Sequence, residues 1–529
     1  MGTFLSYGAR LPASIQGFRC SLVLLNPSAP ELARAPHPTK VYIFQVIQFL
    51  RSAKWYFLFG TIFAIALRLV FILKFPHVTG DTYIYGDIAK NWIDHGVYGF
   101  SHPGADPEPT WIRLPGYPGF LAICFFLFGR EHYTAVMFVQ LFVDVATCFL
   151  IADIARRMID ERAGKIAFIL ACICPFTANY VASPMPETLS VFALAAAFWC
   201  LYAALDCQED LSWRPENAAT SRIRSGATLC FSYWTLCGLS IAFAIVLRPD
   251  GGMLLAAIGL FLIVRLFRVP TERRTTVIAG LLVLIISLAP LAPWTYRNWQ
   301  MFRRFQPLAP RYASDIDEFT PLGFNHWVRT WMAEYVSVED IYWQMPGSDV
   351  DVNLLPARAY DTPEEEARTR QLFEQYQTRT AIWPELDQQF EQLAEQRVAR
   401  HPLRYYVQLP LMRIADMWFR PRTETLPLDS RWWQDYTDDF WNSAKAAALA
   451  LINLFYVGLA IAALFLRPRP RYLFVVIAYL VIRTAFLGTL ENPETRYTLE
   501  CYPLVISLAA IAISRVFTVV SALHSSRKV

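Results

Sequence analysis

Apolar runs long enough to cross a membrane alternate with short polar loops along most of this chain. The first run, residues 55–73, reads WYFLFGTIFAIALRLVFIL and carries a single charge, Arg68. A helix needs about 20 apolar residues to cross the hydrocarbon core of a bilayer. We therefore predict an all-α polytopic membrane protein with about ten transmembrane helices, at 55–73, 134–155, 163–182, 187–206, 227–247, 250–267, 275–293, 445–466, 471–490 and 498–518.

Arg68 lies in the outer half of the first run. We expect its side chain to extend outward to the membrane interface, as long basic side chains do when their backbone lies in the bilayer. A position facing a functional site is the alternative.

A shorter apolar piece, 117–129, decides the predicted topology. We interpret it as a re-entrant or interfacial helix, because it is too short to span. The basic stretches then all fall on the cytoplasmic side, in agreement with the positive-inside rule; they are 155–165, 214–224, 265–274, 467–471 and the tail Arg527-Lys528. If 117–129 crossed the membrane, most of them would lie outside.

Four regions follow from this topology. Residues 1–53 are predicted to be a cytoplasmic N-terminal leader, and 54–298 a transmembrane core whose first outer loop is 75–130. Residues 299–444 form an extracytoplasmic loop region, and 445–529 carry the last transmembrane helices and a short cytoplasmic tail.

The extracytoplasmic loop region is expected to be mainly helical. In 363–400, charged positions alternate with apolar ones at helical spacing, the latter being Leu372, Phe373, Tyr376, Phe390 and Leu393. The segment 402–419 predicts an amphipathic helix that lies on the membrane surface.

The composition agrees with this class of protein. Hydrophobic residues make up 55% of the chain and charged residues 17%, which excludes an ordinary soluble domain. The ten cysteines show no metal-ligand spacing with histidine, so we interpret them as small buried apolar residues and expect no zinc site. Membrane lipids are the expected surroundings, and no nucleic-acid partner is predicted.

The short outer loops concentrate the candidate chemistry. The first one opens with Asp81 at the start of an amphipathic helix, and its second half contains the turn Arg113-Leu-Pro-Gly-Tyr-Pro118. Acids, arginines and aromatic residues also occupy 183–188, 248–251, 293–298 and 491–497. We therefore expect an extracytoplasmic site for an anionic, hydroxyl-rich substrate.

Together these motifs resemble the GT-C glycosyltransferases. The features are an acid after the first span, the Arg-x-Pro-Gly-Tyr-Pro turn, Ala155-Arg-Arg157, Pro186-Glu-Thr188, Pro-Trp-x-x-Arg-Asn at 293–298 and Arg496-Tyr497 before the last span. More narrowly, the chain is similar to bacterial relatives of protein O-mannosyltransferases and of the aminoarabinose transferases that modify lipid A.

The resemblance implies an enzyme of the bacterial cytoplasmic (inner) membrane. It would transfer a hexosyl or pentosyl group from a polyprenyl-phosphate donor to a lipid, glycan or protein acceptor, with inversion, on the extracytoplasmic side. Asp81 would be the base and Glu187 a second acid that orients the acceptor or a metal. The donor phosphate would be bound by Arg113, Arg297 and Arg496, with Tyr117 and Tyr497 beside it. No cofactor is certain and a divalent metal stays open, because Thr82 follows Asp81 where relatives often show paired acids.

Each of these residues also has a structural interpretation. Asp81 could serve as a helix cap, and Glu187 could complement a helix dipole. Arg297 and Arg496 could anchor span ends at the interface, and Tyr497 could belong to the aromatic belt.

Three other classes of function are less favoured by the sequence. Many spans with an intramembrane arginine are also typical of a transporter or lipid flippase, but the polar residues collect at one surface. A non-catalytic scaffold would need no acid at 81. A cytoplasmic nucleotide-sugar enzyme is disfavoured because the sequence has no Gly-rich phosphate loop.

Overall fold

The computed structural model describes residues 46–212, 220–434 and 439–526. Most of the predicted N-terminal leader and the end of the C-terminal tail lie outside the described residues. Within them the architecture is helical, and the regular β-structure is one antiparallel hairpin, β1 (Gly99–His102) and β2 (Ala105–Pro109). The predicted all-α class is confirmed.

The first half of the chain forms eight helices. They are α1 (Lys54–Lys74), α2 (Asp81–Asp94), α3 (Gly116–Phe128), α4 (Tyr133–Met158), α5 (Glu161–Ile173), α6 (Pro175–Tyr180), α7 (Glu187–Ser212) and α8 (Thr220–Leu247). The next three, α9 (Gly252–Arg268), α10 (Arg273–Leu288) and α11 (Leu291–Phe302), complete the part before the large loop region.

The loop region contains α12 (Leu322–Arg329), α13 (Tyr335–Ser337), α14 (Pro363–Gln377), α15 (Pro384–Arg400) and α16 (Leu409–Phe419). The last helices are α17 (Phe440–Phe465), α18 (Leu473–Gly488) and α19 (Tyr502–Ser526). Short 3-10 turns occur at Pro249–Gly251, Pro270–Glu272, Val352–Leu354, Ala357–Ala359 and Thr495–Cys501, and π turns at Val338–Tyr342 and Arg404–Gln408.

Eight helical segments of the described chain are long and apolar enough to cross a membrane. The two other predicted spans differ from a single long helix. The predicted span 163–182 is divided between α5 and α6 at Cys174, which is extended because Pro175 follows it. The predicted span 471–490 is the sixteen-residue α18, so the number ten stays a prediction.

The helix ends lie at two opposite ends of the bundle. The amide of His77 donates to the carbonyl of Ala182 at 2.9 Å, at what we call the upper end. The amide of Arg471 donates to the carbonyl of Met158, also at 2.9 Å, at the lower end. The basic stretches near residues 156 and 471 thus share the lower end, where Arg157 and Arg471 both pair with Asp206.

Helix α3 begins and ends at the upper end. Gly116 lies against the backbone of Val246 so closely that an added Cβ would be 2.5 Å from its carbonyl oxygen. Just past the other end of α3, Arg130 pairs with Asp94 of α2 at 2.7 Å. At thirteen residues, α3 is one of the short apolar helices.

Arg68 does not extend to the interface, so that expectation was wrong. The residue is fully buried, pairs with Asp144 of α4 at 2.7 Å and donates to the carbonyls of Ala171 and Cys172 in α5. A buried guanidinium is tolerated when its donors are satisfied. Arg68 therefore joins α1, α4 and α5, and nine cysteines of the described chain are buried in the protein.

The loop region has its own hydrophobic core, formed mainly by α12, α14 and α15. The five apolar residues predicted for 363–400 are all buried in it: Leu372, Phe373, Tyr376, Phe390 and Leu393. Helix α14 begins where Thr362 accepts a hydrogen bond from the amide of Glu365 and Pro363 takes the first helical position.

Helix α16 connects the loop region to the bundle. Its fully buried Arg413 donates to the carbonyls of Met332 and Gly488. Gly488 packs closely against α16, since an added Cβ would be 2.9 Å from the side chain of Ile414 and 3.1 Å from the carbonyl oxygen of Pro410. Leu403, Tyr406 and Leu411 of this segment are largely exposed, as expected for an amphipathic helix that lies on a membrane surface.

Candidate active site

A cavity of about 840 Å³ lies between the upper end of the bundle and the loop region. Its charged part is formed by the first outer loop, the start of α7, the α8–α9 joint and the segment before α19. Five of the seven predicted site residues line it: Asp81, Arg113, Glu187, Arg496 and Tyr497. Tyr117 and Arg297 are not among its lining residues.

The carboxylate of Asp81 lies between two arginines. Its Oδ1 is 2.8 Å from Nη2 of Arg113, and its Oδ2 is 3.5 Å from Nη1 of Arg496. Burial alone would raise the pKa of Asp81, but Arg496 and Arg113 outweigh burial and hold this pKa below its ordinary value. The N-cap of α2 is Gly80, and Asp81 is the first helical residue.

Arg113 is positioned by the turn that leads into α3. Its guanidinium lies 5.4 Å from the centre of the Tyr85 ring, and its Nε is buried without a hydrogen-bond partner. Burial raises the pKa of Tyr85 to about 12, so this ring is neutral at physiological pH. One edge of Arg113 therefore binds Asp81 while another donor remains unused.

Arg496 is held from the opposite side by the segment before α19. Its Nε is 2.5 Å from Oε2 of Glu494, whose Oε1 accepts a 2.7 Å hydrogen bond from the hydroxyl of Tyr497. The ring of Tyr497 is close to two guanidiniums, with the Arg496 carbon at 5.6 Å and the Arg248 carbon at 5.3 Å from the ring centre.

Glu187 begins α7 and is almost completely buried. Its Oε1 is 3.0 Å from Nη1 of Arg248, whereas its Oε2 is buried with no hydrogen-bond partner. Arg248 also contacts Asp250 at 3.2 Å and Glu500 at 3.5 Å. Glu187 is therefore part of an ion-pair cluster as well as the first residue of a helix.

Arg483 closes this ion-pair cluster from within the bundle. It is fully buried on α18, and its two terminal nitrogens lie 3.0 Å from Asp250 and 3.0 Å from Glu500. It also donates to the carbonyl of Tyr497 at 2.9 Å. Arg248, Asp250, Arg483 and Glu500 thus form a closed ring of alternating charge, which we call the charge ring.

Arg297 and Tyr117 lie away from the charged part of the cavity. Arg297 donates to the carbonyls of Thr110 at 2.7 Å and Tyr98 at 2.9 Å, so it fastens the first outer loop to α11. Tyr117 is fully buried and donates to Gln140 at 2.9 Å. Neither contact leaves the side chain free to meet a phosphate in the cavity.

The sequence interpretation missed several charged residues of the site. Arg248 and Asp250 occur in an outer loop that was noted for its charges, and Glu494 lies in another. Arg483 and Glu500 are single charges inside apolar stretches. An isolated charge in a membrane-length apolar run indicates a buried partner of opposite charge. Arg483 and Glu500 could have been identified in this way.

The cavity does not present a metal-binding donor set. Among the described residues, no group of three or more His, Cys, Asp or Glu side chains could hold a metal ion. Asp81 and Glu187 are both engaged by arginines, whereas a divalent cation prefers several free oxygen ligands. We therefore derive no step through a metal.

Comparison with known proteins supports the resemblance found in the sequence. Residues 107–215, about a fifth of the chain, match the family model described as dolichyl-phosphate-mannose-protein mannosyltransferase. The stretch includes Arg113, Tyr117 and Glu187. The predicted resemblance to GT-C glycosyltransferases is confirmed. A search of curated protein sequences gives no significant match.

Solved structures with a similar arrangement include two membrane enzymes. One is the archaeal oligosaccharyltransferase AglB from Archaeoglobus fulgidus in complex with an inhibitory peptide and a dolichol-phosphate, with 12% identity, a TM-score of 0.46 and coverage of 90% of this chain and 52% of that chain. The other is ArnT from Cupriavidus metallidurans bound to undecaprenyl phosphate, with 12% identity, a TM-score of 0.38 and coverage of 88% and 78%. The chain spans about half the length of the oligosaccharyltransferase.

Proposed function

We propose that this protein transfers a hexosyl or pentosyl group from a polyprenyl-phosphate donor to an acceptor hydroxyl at the extracytoplasmic membrane surface, with inversion. The observation that carries the proposal is the position of Asp81 between Arg113 and Arg496 in a cavity at one end of a membrane-spanning bundle. One carboxylate and two guanidiniums are the groups that this reaction needs.

The arginines serve the leaving group. When the bond between the anomeric carbon and the phosphate oxygen breaks, the electron pair stays on the phosphate, and two planar guanidiniums stabilise the growing charge. The unpaired buried Nε of Arg113 offers one further donor for a phosphate oxygen.

The carboxylate of Asp81 serves the acceptor. It takes the proton of the acceptor hydroxyl while that oxygen attacks the anomeric carbon from the face opposite the phosphate. A single displacement of this kind inverts the anomeric configuration. Asp81, in the first outer loop, is the acid that the resemblance assigns to this step.

The ion pairs of Asp81 with Arg113 and Arg496 imply that the two arginines exchange the carboxylate for the donor phosphate when the donor binds. Before binding, Arg113 and Arg496 are neutralised by Asp81 and by Glu494. A donor phosphate that takes over the two arginines leaves Asp81 with fewer cationic neighbours. The carboxylate then becomes a stronger base at the moment when it is needed.

A transporter receives no comparable support. The intramembrane arginine that suggested a transport path, Arg68, is fully buried and paired with Asp144. Its donors also bind three backbone carbonyls, those of Ala64, Ala171 and Cys172. Arg68 is thus bound into the helix packing and is not available to a passing solute.

The proposal is tested by the intact masses of glycolipids and glycoproteins from cells that produce the parent protein or the Asp81→Asn variant. We expect one class of molecule to lose the mass of a single sugar residue in the variant. Identical mass profiles from equal amounts of folded protein would contradict the proposed function.

A further inference from the structure

One carboxylate oxygen of Glu187, Oε2, is buried and accepts no hydrogen bond. The residue is 2% exposed, and its Oε2 has no hydrogen-bond partner while its Oε1 is bound to Arg248. A buried carboxylate oxygen without a donor destabilises the folded state. Because Glu187 also lines the cavity, a ligand that supplies the missing donor accounts for this arrangement.

Arg248, which binds the other carboxylate oxygen of Glu187, is held in place by several ion pairs. Arg248 contacts Glu187, Asp250 and Glu500, and Arg483 holds both Asp250 and Glu500 from the buried side. Arg483 does not line the cavity, so it can act on a ligand only through these partners. A side chain held by several ion pairs is preorganised for binding.

The charges around Glu187 exclude a second phosphate site. Three carboxylates, those of Glu187, Asp250 and Glu500, surround two guanidiniums, those of Arg248 and Arg483. The carboxylates at least balance the guanidiniums, so the cluster offers no uncompensated positive charge to an anion. A neutral hydroxyl group fits, because it donates to a carboxylate oxygen and accepts from a guanidinium.

The pair of Glu187 and Arg248 is also close to the proposed phosphate-binding arginines. The guanidiniums of Arg248 and Arg496 both lie close to the ring of Tyr497. Asp81, Arg113, Glu187 and Arg248 all line the same cavity. A sugar whose phosphate lies at Arg113 and Arg496 therefore has its ring within reach of Glu187.

We propose that Glu187 and Arg248 form a specificity-determining subsite that binds a hydroxyl group of the donor sugar, with Arg483 as a positioning residue that holds Arg248 through Asp250 and Glu500. This inference rests on the proposed function, since it takes the donor to be a polyprenyl-phosphate sugar. It assigns Glu187 to recognition of the sugar, in place of the acceptor or metal role suggested by the resemblance.

The test measures donor binding to the purified full-length protein without acceptor. The probes are undecaprenyl-phosphate hexoses and pentoses, and then the single-deoxy analogues of whichever sugar binds best. We expect one deoxy analogue to bind roughly 10- to 100-fold more weakly than the complete sugar, as for loss of a hydrogen bond to a charged group. In Glu187→Ala the difference between the complete sugar and this analogue should shrink by roughly threefold or more, because only the contact with Arg248 then remains.

Two variants separate this role from a general loss of binding. Arg113→Ala should weaken the binding of every donor by the same factor, because Arg113 contacts the phosphate in the proposed complex. The ratio of the affinities for the complete and the deoxy sugar should therefore stay unchanged. Arg483→Met combined with Glu500→Gln keeps the charge balance of the charge ring and should lower the ratio while binding of undecaprenyl phosphate alone stays unchanged. If Glu187→Ala does not fold, Glu187→Gln provides the same comparison with nearly the same shape.

The outcomes are distinct. If no polyprenyl-phosphate sugar binds the parent protein, the proposed function itself fails. If donors bind and Glu187→Ala or Glu187→Gln keeps the full discrimination of the parent protein, the sugar subsite is overturned and the proposed function stands.

Discussion

Oδ1 of Asp81 lies 2.8 Å from Nη2 of Arg113, so the candidate base and a candidate phosphate ligand are bound to each other. The two residues come from the first and second halves of the first outer loop. Arg496, from the last loop before α19, completes the contact on the other carboxylate oxygen. The protein thus brings one acid and two cations from distant parts of the chain to a single point of the cavity.

The first prediction concerns Asp81 as the base. Asp81→Asn keeps the shape of the side chain but removes the proton acceptor, and its single amide oxygen can accept from only one of the two arginines. We expect turnover to fall by about 100-fold or more, within the usual range for general acid-base catalysis. Sugar transfer is measured with detergent-purified parent and variant proteins whose melting temperatures agree.

Asp94→Asn is the matched control for this change. Asp94 lies on the same helix, α2, but forms an exposed pair with Arg130 outside the cavity. It should retain turnover within about twofold of the parent, as expected for a surface pair of small energetic value. Near-normal turnover of Asp81→Asn would leave Asp81 with a structural role alone.

The second prediction follows from the pKa of Asp81. The carboxylate form is the active one, so activity is lost as pH falls through this pKa, which the two arginines hold below its ordinary value in the donor-free protein. When the donor phosphate takes over Arg113 and Arg496, the pKa of Asp81 should rise. The acidic limb of kcat, which reports the bound enzyme, should therefore lie at higher pH than that of kcat/KM for the donor, which reports the free enzyme. Coincident limbs would show that donor binding does not release Asp81.

The third prediction contrasts two arginines that the sequence placed in the same role. Arg113→Ala should weaken donor binding by about 1.5 to 3 kcal/mol, the range for a hydrogen bond to a charged group, and Arg113→Lys should retain part of the affinity. Arg297→Met removes bonds to the carbonyls of Thr110 and Tyr98. It should lower the melting temperature while the folded fraction binds the donor with parental affinity.

Donor affinity and melting temperature are measured on the same preparations. If Arg297→Met abolished donor binding without loss of stability, Arg297 would return to the phosphate site. If Arg113→Ala bound the donor as tightly as the parent, the phosphate would have to be bound elsewhere.

Arg113 and Arg297 show how far the site could be predicted from the sequence. Short polar loops between apolar runs correctly indicated where Asp81, Arg113, Glu187, Arg496 and Tyr497 would meet, because alternate loops of a membrane bundle share one end. The direction of a side chain near a helix end was not predictable in this way. Arg297 therefore looked equivalent to Arg113, although its guanidinium binds loop carbonyls.

The partners in buried ion pairs were also not predictable from the sequence. Arg68 pairs with Asp144, 76 residues away, and Arg483 with Asp250, 233 residues away. Which helices are neighbours depends on packing over the whole bundle, and a single sequence does not state it. The division of the predicted span 163–182 at Cys174 was readable from Pro175, by contrast, because the effect of proline on the preceding residue is local.

The fourth prediction concerns the orientation in the membrane. Helix α3 begins and ends at the upper end of the bundle, so it should not cross the bilayer. A topology reporter fused after Gly164 should report the cytoplasm, and one fused after Asp250 should report the extracytoplasmic side. A reversed pair of signals would place the cavity on the cytoplasmic face and remove the basis for a lipid-linked donor.

The most direct test of the central claim is a comparison of donors with the purified protein in liposomes. Arginines that face a cavity at the membrane surface suit a phosphate whose carrier remains in the lipid. We predict that sugar is transferred from a polyprenyl-phosphate sugar and not from a nucleotide sugar, and that Asp81→Asn lowers this transfer by about 100-fold or more. Transfer from a nucleotide sugar alone, or transport of the polyprenyl-phosphate sugar across the bilayer without transfer, would contradict the account.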